Sequence, residues 1–343
     1  MRCGGRVAGA VVAGLLLCAR GWAAGTCAEA DVPHVDHPHV TISNGEVNAL
    51  VFLPDATNGY YRSSRFDWSG VVGCAAYRGH TYWGEWFSHY DPMENDSITG
   101  PVEEFRSAEG AIGYDAAAAG GLFVKVGVGV LRRDTADSYK FGHVYPIVDT
   151  GKWTVRTGPR SVTFRQRLRS PTGVAYEYTK VLSLGAHGST ITLRHSLKNL
   201  GAQPLTTDVY DHDFYVLDGQ PTGKGMEVRL PFPPMAATPL EPGAEINGQK
   251  IVYQQEIEPK ATVQSYLTGY RPDAADYDIQ VEDTVHHFGV EQRGDLPIEK
   301  MYLWSIRTTI CPEVYVHLDI APQQTKQWTL TYRLLADGTA TSK

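Results

Sequence analysis

The sequence predicts an all-β fold, a large sandwich of mostly antiparallel strands, and three observations predict it. Apolar residues recur with period two over several long stretches. Runs of Gly, Pro, Asn and Ser punctuate those stretches at hairpin intervals. Helical three-four spacing is missing over any dozen residues; the nearest candidate, 269–283, contains Pro272 and reads as loop. Composition agrees, because 42% of the 343 residues are hydrophobic and 10% aromatic, which supplies a large core and excludes a disordered or collagenous chain.

Taken in order, the chain opens on a leader. Met1, Arg2 and Arg6 give a positive start, residues 7–18 form an apolar run shorter than the roughly 20 residues a spanning helix needs, and Ala23, Ala24 and Gly25 offer a cleavage site. Residues 1–25 therefore read as a secretory signal peptide, with a secreted or periplasmic mature chain free of the membrane. Cleavage removes Arg2, Arg6 and Arg20 and moves the net charge from −7 to about −10. That balance, with no Lys/Arg-rich run, excludes nucleic acid as a partner. Cleavage also removes Cys3 and Cys18. Cys27, Cys74 and Cys311 remain, which allows one disulfide and one leftover thiol, the pair being open. No Cys/His finger spacing occurs, and no metal is expected. Residues 26–40, with His34, Asp36, His37 and His39, read as a flexible lead-in.

Residues 41–337 read as a single sandwich domain and 338–343 as a tail. Val124, Val126, Val128 and Val130 alternate with Lys125, Gly127 and Gly129, as in one strand whose glycines permit close sheet packing. Residues 152–168 and 175–198 each read as strand, turn, strand; the second includes alternating Ile191, Leu193, His195 and Leu197. Trp328, Leu330, Tyr332 and Leu334 mark a closing strand. So many strands must split into two packed sheets. Two insertions, 78–121 and 217–248, read as loop-rich, and long loops in a compact domain usually serve function. No organic cofactor is expected, since no Gly-rich phosphate loop joins a strand to a helix.

Three clusters carry chemistry. Residues 208–219, Asp-Val-Tyr-Asp-His-Asp-Phe-Tyr-Val-Leu-Asp-Gly, embed His212 among carboxylates that favour the imidazolium and poise it as a general acid. Tyr210, Phe214 and Tyr215 offer an apolar platform for a sugar face; the alternative is a surface histidine at a strand edge. Residues 60–68, Tyr-Tyr-Arg-Ser-Ser-Arg-Phe-Asp-Trp, present Arg62 and Arg65 as planar donor forks beside Asp67 and aromatic faces, suited to a sugar or uronate, or else to a structural Arg–Asp pair with a core Trp. His80, Tyr82, Trp83, Glu85, Trp86 and His89 form a third cluster, able to line a saccharide cleft, supply metal ligands or simply pack.

The His212 segment resembles the Asn-His-x-Tyr/Phe-Phe-Asn-Leu stretch of aldose 1-epimerases, the galactose mutarotases. Asp211 stands for the Asn, His212 matches the His, Phe214 and Tyr215 match the aromatic pair, and Leu217 and Gly219 follow in register. Residues 193–204 are similar to the family's preceding strand, and 318–334, with Ala321-Pro322-Gln323, Trp328 and Tyr332, to its closing strand pair. The resemblance implies a galactose mutarotase-like β-supersandwich, a sugar pocket holding His212 and Asp211, and His212 as general acid.

Departures bear on the base. The family carries a Glu on a late strand; here the late candidate is Glu313, in the segment 304–313 that also offers Trp304 and Arg307, though it lies closer to Pro322 than the family pattern implies. Glu103 and Glu104 are the alternatives, and alternation lets only one of them enter a cleft. The family's Asn/Arg motif is absent from the first half in its usual form. The expected function is thus a carbohydrate-active protein acting on a mono- or oligosaccharide, foremost an aldose 1-epimerase-like isomerase using His/carboxylate acid–base chemistry. A secreted glycan lyase or hydrolase on the same fold, or a non-catalytic carbohydrate-binding protein, are the alternatives. A mutarotase pocket should set a carboxylate across a hexose's width from His212; an open groove faced by Arg62, Arg65 or His80 should mark the glycan enzyme.

Overall fold

The computed structural model describes residues 27–108 and 110–336, and the leader and tail read at 1–25 and 338–343 lie outside them. Among the described residues all strand pairs in the two large sheets are antiparallel. The alternating stretches form the larger sheet. Its centre runs through Phe288–Gly294, Thr325–Leu335, Thr190–Asn199, Ala175–Leu184 and Ser161–Arg169. Leu193, Leu197, Leu330, Tyr332 and Leu334 point to one face of it and are buried, as period two requires. The strand Thr190–Asn199 stops where Asn199 turns on itself, its Oδ1 accepting from Gly201 N at 2.9 Å.

The second sheet has six strands in the order Met235–Ala236, Val263–Thr268, Lys300–Ile306, Thr309–Ile320, Leu205–His212 and Val102–Phe105. Its Leu267, Met301, Leu303, Val314 and Val209 share one apolar core with the larger sheet. Adjacent residues on these strands point the other way, so the opposite face is left for loops to cover. Several buried charges also sit between the sheets: Lys180, fully buried, pairs with Glu103 and lies 3.4 Å from Asp67, and His195 Nε2 lies 2.5 Å from Glu103.

Four expectations are corrected. The Val124–Val130 alternation is a hairpin, not a strand: Leu122–Lys125 turns into Gly129–Arg132 through Gly127 at φ 78°. A β-carbon on Gly127 would lie 2.4 Å from Asp67 Oδ1, so glycine serves both the turn and the close approach. Residues 27–40 are tied down by the Cys27–Cys74 disulfide, with Cys311 left free and buried. His34 bonds Glu85 there, and His37 bonds Tyr90. The 78–121 and 217–248 insertions contain strands, among them Val102–Phe105, and 269–283 ends in the strand Asp278–Asp283.

Candidate functional site

Directly opposed residues share a face, so register assembles the site across the six-stranded sheet. Gln264 opposes Trp304 and Tyr266 opposes Tyr302, which opposes Glu313; a second row runs Tyr315, Tyr210, Glu104. His212 ends its strand beside them, on the face turned away from the larger sheet. Loop residues Arg65, Trp86, Asp96, Arg106 and Phe141 close over this face, leaving a cavity of about 250 Å³. The chain after His212 turns sharply, with Phe214 at φ 44°, a costly conformation for an aromatic residue. The turn lays the Phe214 ring on the His212 imidazole at 3.8 Å, and Trp86 stacks on the far side of Phe214 at 4.7 Å. Trp304 stands edge-on to both His212 and Trp86.

His212 Nε2 and Glu313 Oε1 lie 3.4 Å apart inside this aromatic wall, and Tyr315 Oη donates to Glu313 Oε2 at 3.1 Å. Burial pushes the Glu313 carboxyl up to about 7, against the pull of Arg65. Burial, then Arg65, pushes the imidazole well below its usual value, because a cation there would lose water and meet a fixed positive charge. The expected imidazolium is therefore corrected: His212 is neutral near pH 7. The expected separation is corrected too, since the pair is in mutual reach rather than a hexose apart.

Behind the wall Glu104 is fully buried and organises the cations. Its carboxylate accepts from Lys125 Nζ at 2.7 Å, Arg65 Nε at 3.0 Å and Tyr210 Oη at 2.5 Å, with Arg106 Nε 3.4 Å away. Burial raises the Glu104 carboxyl, but Lys125, Arg65 and Arg106 outweigh it and hold the group well below the usual carboxylate range. A carboxylate so tightly held has no proton affinity to spend on a substrate, which removes Glu104 as a base. Tyr210 is likewise a buried support, stacked on Tyr315 at 4.2 Å.

Of the residues expected in the site, His212, Glu313, Arg65, Phe214, Trp304 and, from the third cluster, Trp86 line the cavity. The others do not. Glu103 and Asp211 are odd-numbered neighbours of site residues and face the inter-sheet core. Asp67 is buried there as well, accepting from Ser69 and Tyr178. Trp83 is core, donating to Asp213 O. His80 stacks on Phe288 and bonds Asp218; Glu85 bonds His34 and Tyr60; Arg307 pairs with Glu256; Arg62 donates to Thr57 O at the surface. Sequence reasoning missed Asp96, Arg106, Phe141, Gln264, Tyr266, Tyr302 and Tyr315. An i, i+2 signal was available for several: Glu104-x-Arg106, Gln264-x-Tyr266, Tyr302-x-Trp304 and Glu313-x-Tyr315 each put two polar or aromatic groups on one face. Among the described residues no group of three or more His, Cys, Asp or Glu side chains is arranged to hold a metal ion.

Comparison with solved structures decides the fold. A galactose mutarotase-like protein from Clostridium acetobutylicum superposes with a TM-score of 0.55 at 12% identity, over 87% of this chain and 95% of that one. The chain has the galactose mutarotase-like fold. A galactose mutarotase related enzyme from Lactobacillus acidophilus matches at TM-score 0.50 and 11% identity over 87% of this chain and 98% of its own. A protein from Synechocystis matches at 0.53 and 12%, over 88% and 97%. No protein-family model and no curated protein matches the sequence. At these identities the mutarotase-like likeness is one of fold, and the chemistry rests on the cavity itself.

Proposed function

We propose that this chain is an aldose 1-epimerase-like isomerase that binds a monosaccharide, or the reducing end of an oligosaccharide, and interconverts its anomers. The observation that carries the reading is the His212–Glu313 pair: two titratable groups 3.4 Å apart in one cavity, the order of their proton affinities inverted by burial so that the carboxyl and not the imidazole keeps the proton. The two oxygens of a hemiacetal carbon are themselves separated by only two C–O bonds, so a pair in such close reach addresses both at once. In the one-proton state His212 Nε2 takes the proton of the anomeric hydroxyl while Glu313 gives its proton to the ring oxygen. The C1–O5 bond breaks, C1=O forms, and rotation about C1–C2 presents the other carbonyl face. Closure reverses both transfers and restores the pair.

Cavity shape supports a small sugar. At about 250 Å³ the space falls below the roughly 300–1,000 Å³ of drug-sized pockets. Trp86 and Trp304 give it the apolar faces on which sugar C–H groups pack, and Gln264 and Asp96 give hydroxyl partners. Tyr266, half exposed at the rim beside Tyr302, extends the aromatic surface outward to a second sugar unit. Export belongs to the same reading, and the Cys27–Cys74 disulfide supports an oxidising compartment. Polarimetric mutarotation with wild type and His212→Gln tests the proposal. Catalysis above solvent that disappears in the variant is expected; binding of sugars without any rate enhancement would leave a carbohydrate-binding protein instead.

A further inference from the structure

Arg65 and Arg106 stand side by side at the cavity but are employed very differently. Every nitrogen of Arg65 is committed: Nε to Glu104 at 3.0 Å, Nη1 to Asp96 at 2.5 Å and Nη2 to Tyr210 at 3.0 Å. Arg106 makes one long hydrogen bond, from Nη2 to Tyr315 Oη at 3.4 Å, and its buried Nε has no hydrogen-bond partner among the described residues. A guanidinium has five N–H donors and no other way to satisfy them.

The local charge does not balance. Lys125, Arg65 and Arg106 converge on Glu104 and Asp96, three cations against two carboxylates. Glu313, its carboxyl pushed up to about 7 by burial, adds no full charge at neutral pH. At the rim, Lys300 lies over the Tyr315 ring at 3.7 Å and Asp208 supplies the carboxylate that faces its charge, which leaves the count where it was. One positive charge is thus unmatched inside a chain whose net charge is −7. The rings of Phe141, Tyr210 and Tyr315 lie 5.3, 5.5 and 6.0 Å from the Arg106 guanidinium carbon. They screen it from water and so strengthen any contact it makes with an anion.

We propose, resting on the sugar-binding reading above, that the sugar is a uronate and that Arg106 holds its carboxylate. The Nη1–Nη2 edge of this planar fork carries only that one long bond and matches a carboxylate bidentately. The unmatched charge is a single unit, which suits a monoanion; a phosphate ester brings about −1.5 to −2 at neutral pH and would overshoot it. Tyr315 links this subsite to the reacting pair, accepting from Arg106 and donating to Glu313.

Titration of the full chain with glucuronate, galacturonate, glucose, galactose and glucose 6-phosphate, read by tryptophan fluorescence from Trp86 and Trp304, tests this. A charge-assisted contact predicts uronates binding about ten- to hundredfold tighter than their parent aldoses in wild type. Arg106→Gln should collapse that ratio, and Arg106→Lys, keeping the charge without the fork, should retain part of it. Thermal unfolding of both variants guards against a folding defect, and the wild-type ratio decides even if one fails to fold. Neutral aldoses binding as tightly as uronates would overturn the uronate assignment and leave the isomerase reading standing. Glucose 6-phosphate outcompeting glucuronate would overturn the monoanion count. Binding of none of these sugars would overturn both.

Discussion

Replacing Glu104 by Gln isolates the support beneath the site. The carboxylate is fully buried and receives Lys125, Arg65, Arg106 and Tyr210. Glutamine keeps the shape and deletes the charge, so Lys125, itself 1% exposed, is left with the Tyr139 hydroxyl at 2.7 Å as its remaining partner. Burial has already lowered the Lys125 ammonium to about 8 with Glu104 present. Uncompensated buried charges cost about 3–5 kcal/mol when one partner is removed. A typical total of about 5–15 kcal/mol makes that a large fraction of the stability. Urea unfolding at neutral pH should therefore show a loss in that range, and Lys125→Met in the Gln background should recover roughly half of it, since Arg65 keeps Asp96. The sign with pH is fixed: a carboxyl held below its ordinary value stabilises above that value, and the contribution fades as pH falls through the folded value. Wild type and variant should converge in acid. A loss under about 1 kcal/mol, or no recovery in the double variant, would refute the view that Glu104 is structural.

Further outcomes follow from the same reasoning. Asp211 and Asp213 are buried side by side, and burial first, then their mutual charge for Asp211, raises both carboxyls well above the usual range. The folded state then binds more protons than the unfolded state, so stability declines as pH rises from the ordinary carboxylate value toward the raised one. Asp211→Asn should flatten that slope in chemical unfolding across pH; an unchanged slope would count against it. Gly127→Ala should cost about 1–3 kcal/mol, through the left-handed turn and the contact with Asp67, as read by thermal unfolding. Trp86→Ala should weaken sugar binding measurably while leaving the fold intact, because Trp86 is half-buried at the end of the Phe214 stack rather than in the inter-sheet core; an unaltered Kd would remove it from the sugar face.

The strands of the larger sheet were legible because each buries one face and shows water the other, which writes period two into residues such as Ile191 to Leu197. Val102–Phe105 was not, because it is buried on both faces and carries Glu103 and Glu104 where apolar residues would normally announce a strand. The Val124–Val130 run misled for a related reason: alternation continues straight through a turn that Gly127 alone makes possible. In the site, His212, Phe214 and Glu313, with Trp304 in the same segment as Glu313, were legible through the mutarotase resemblance, and Arg65 and Trp86 through clustered chemistry. Asp211 was misplaced because neighbours on a strand face opposite ways. Arg106, Tyr315 and Tyr266 come from three different strands or strand ends, and only register brings them together. The protonation of the pair was illegible in principle, since flanking carboxylates in sequence lie across the sheet and the charge of Arg65, distant in sequence, acts on His212.

The central claim is that His212 and Glu313 work as a pair holding one proton. Measuring anomer interconversion by polarimetry as a function of pH, for wild type and Glu313→Gln, tests it most directly. The pair predicts a bell-shaped profile for wild type, with its alkaline limb near the Glu313 value of about 7 and its acid limb below the ordinary histidine range. Glu313→Gln should lose about 10²- to 10⁴-fold in rate together with the alkaline limb. A Glu313→Gln variant that retains the wild-type rate and profile would contradict the account.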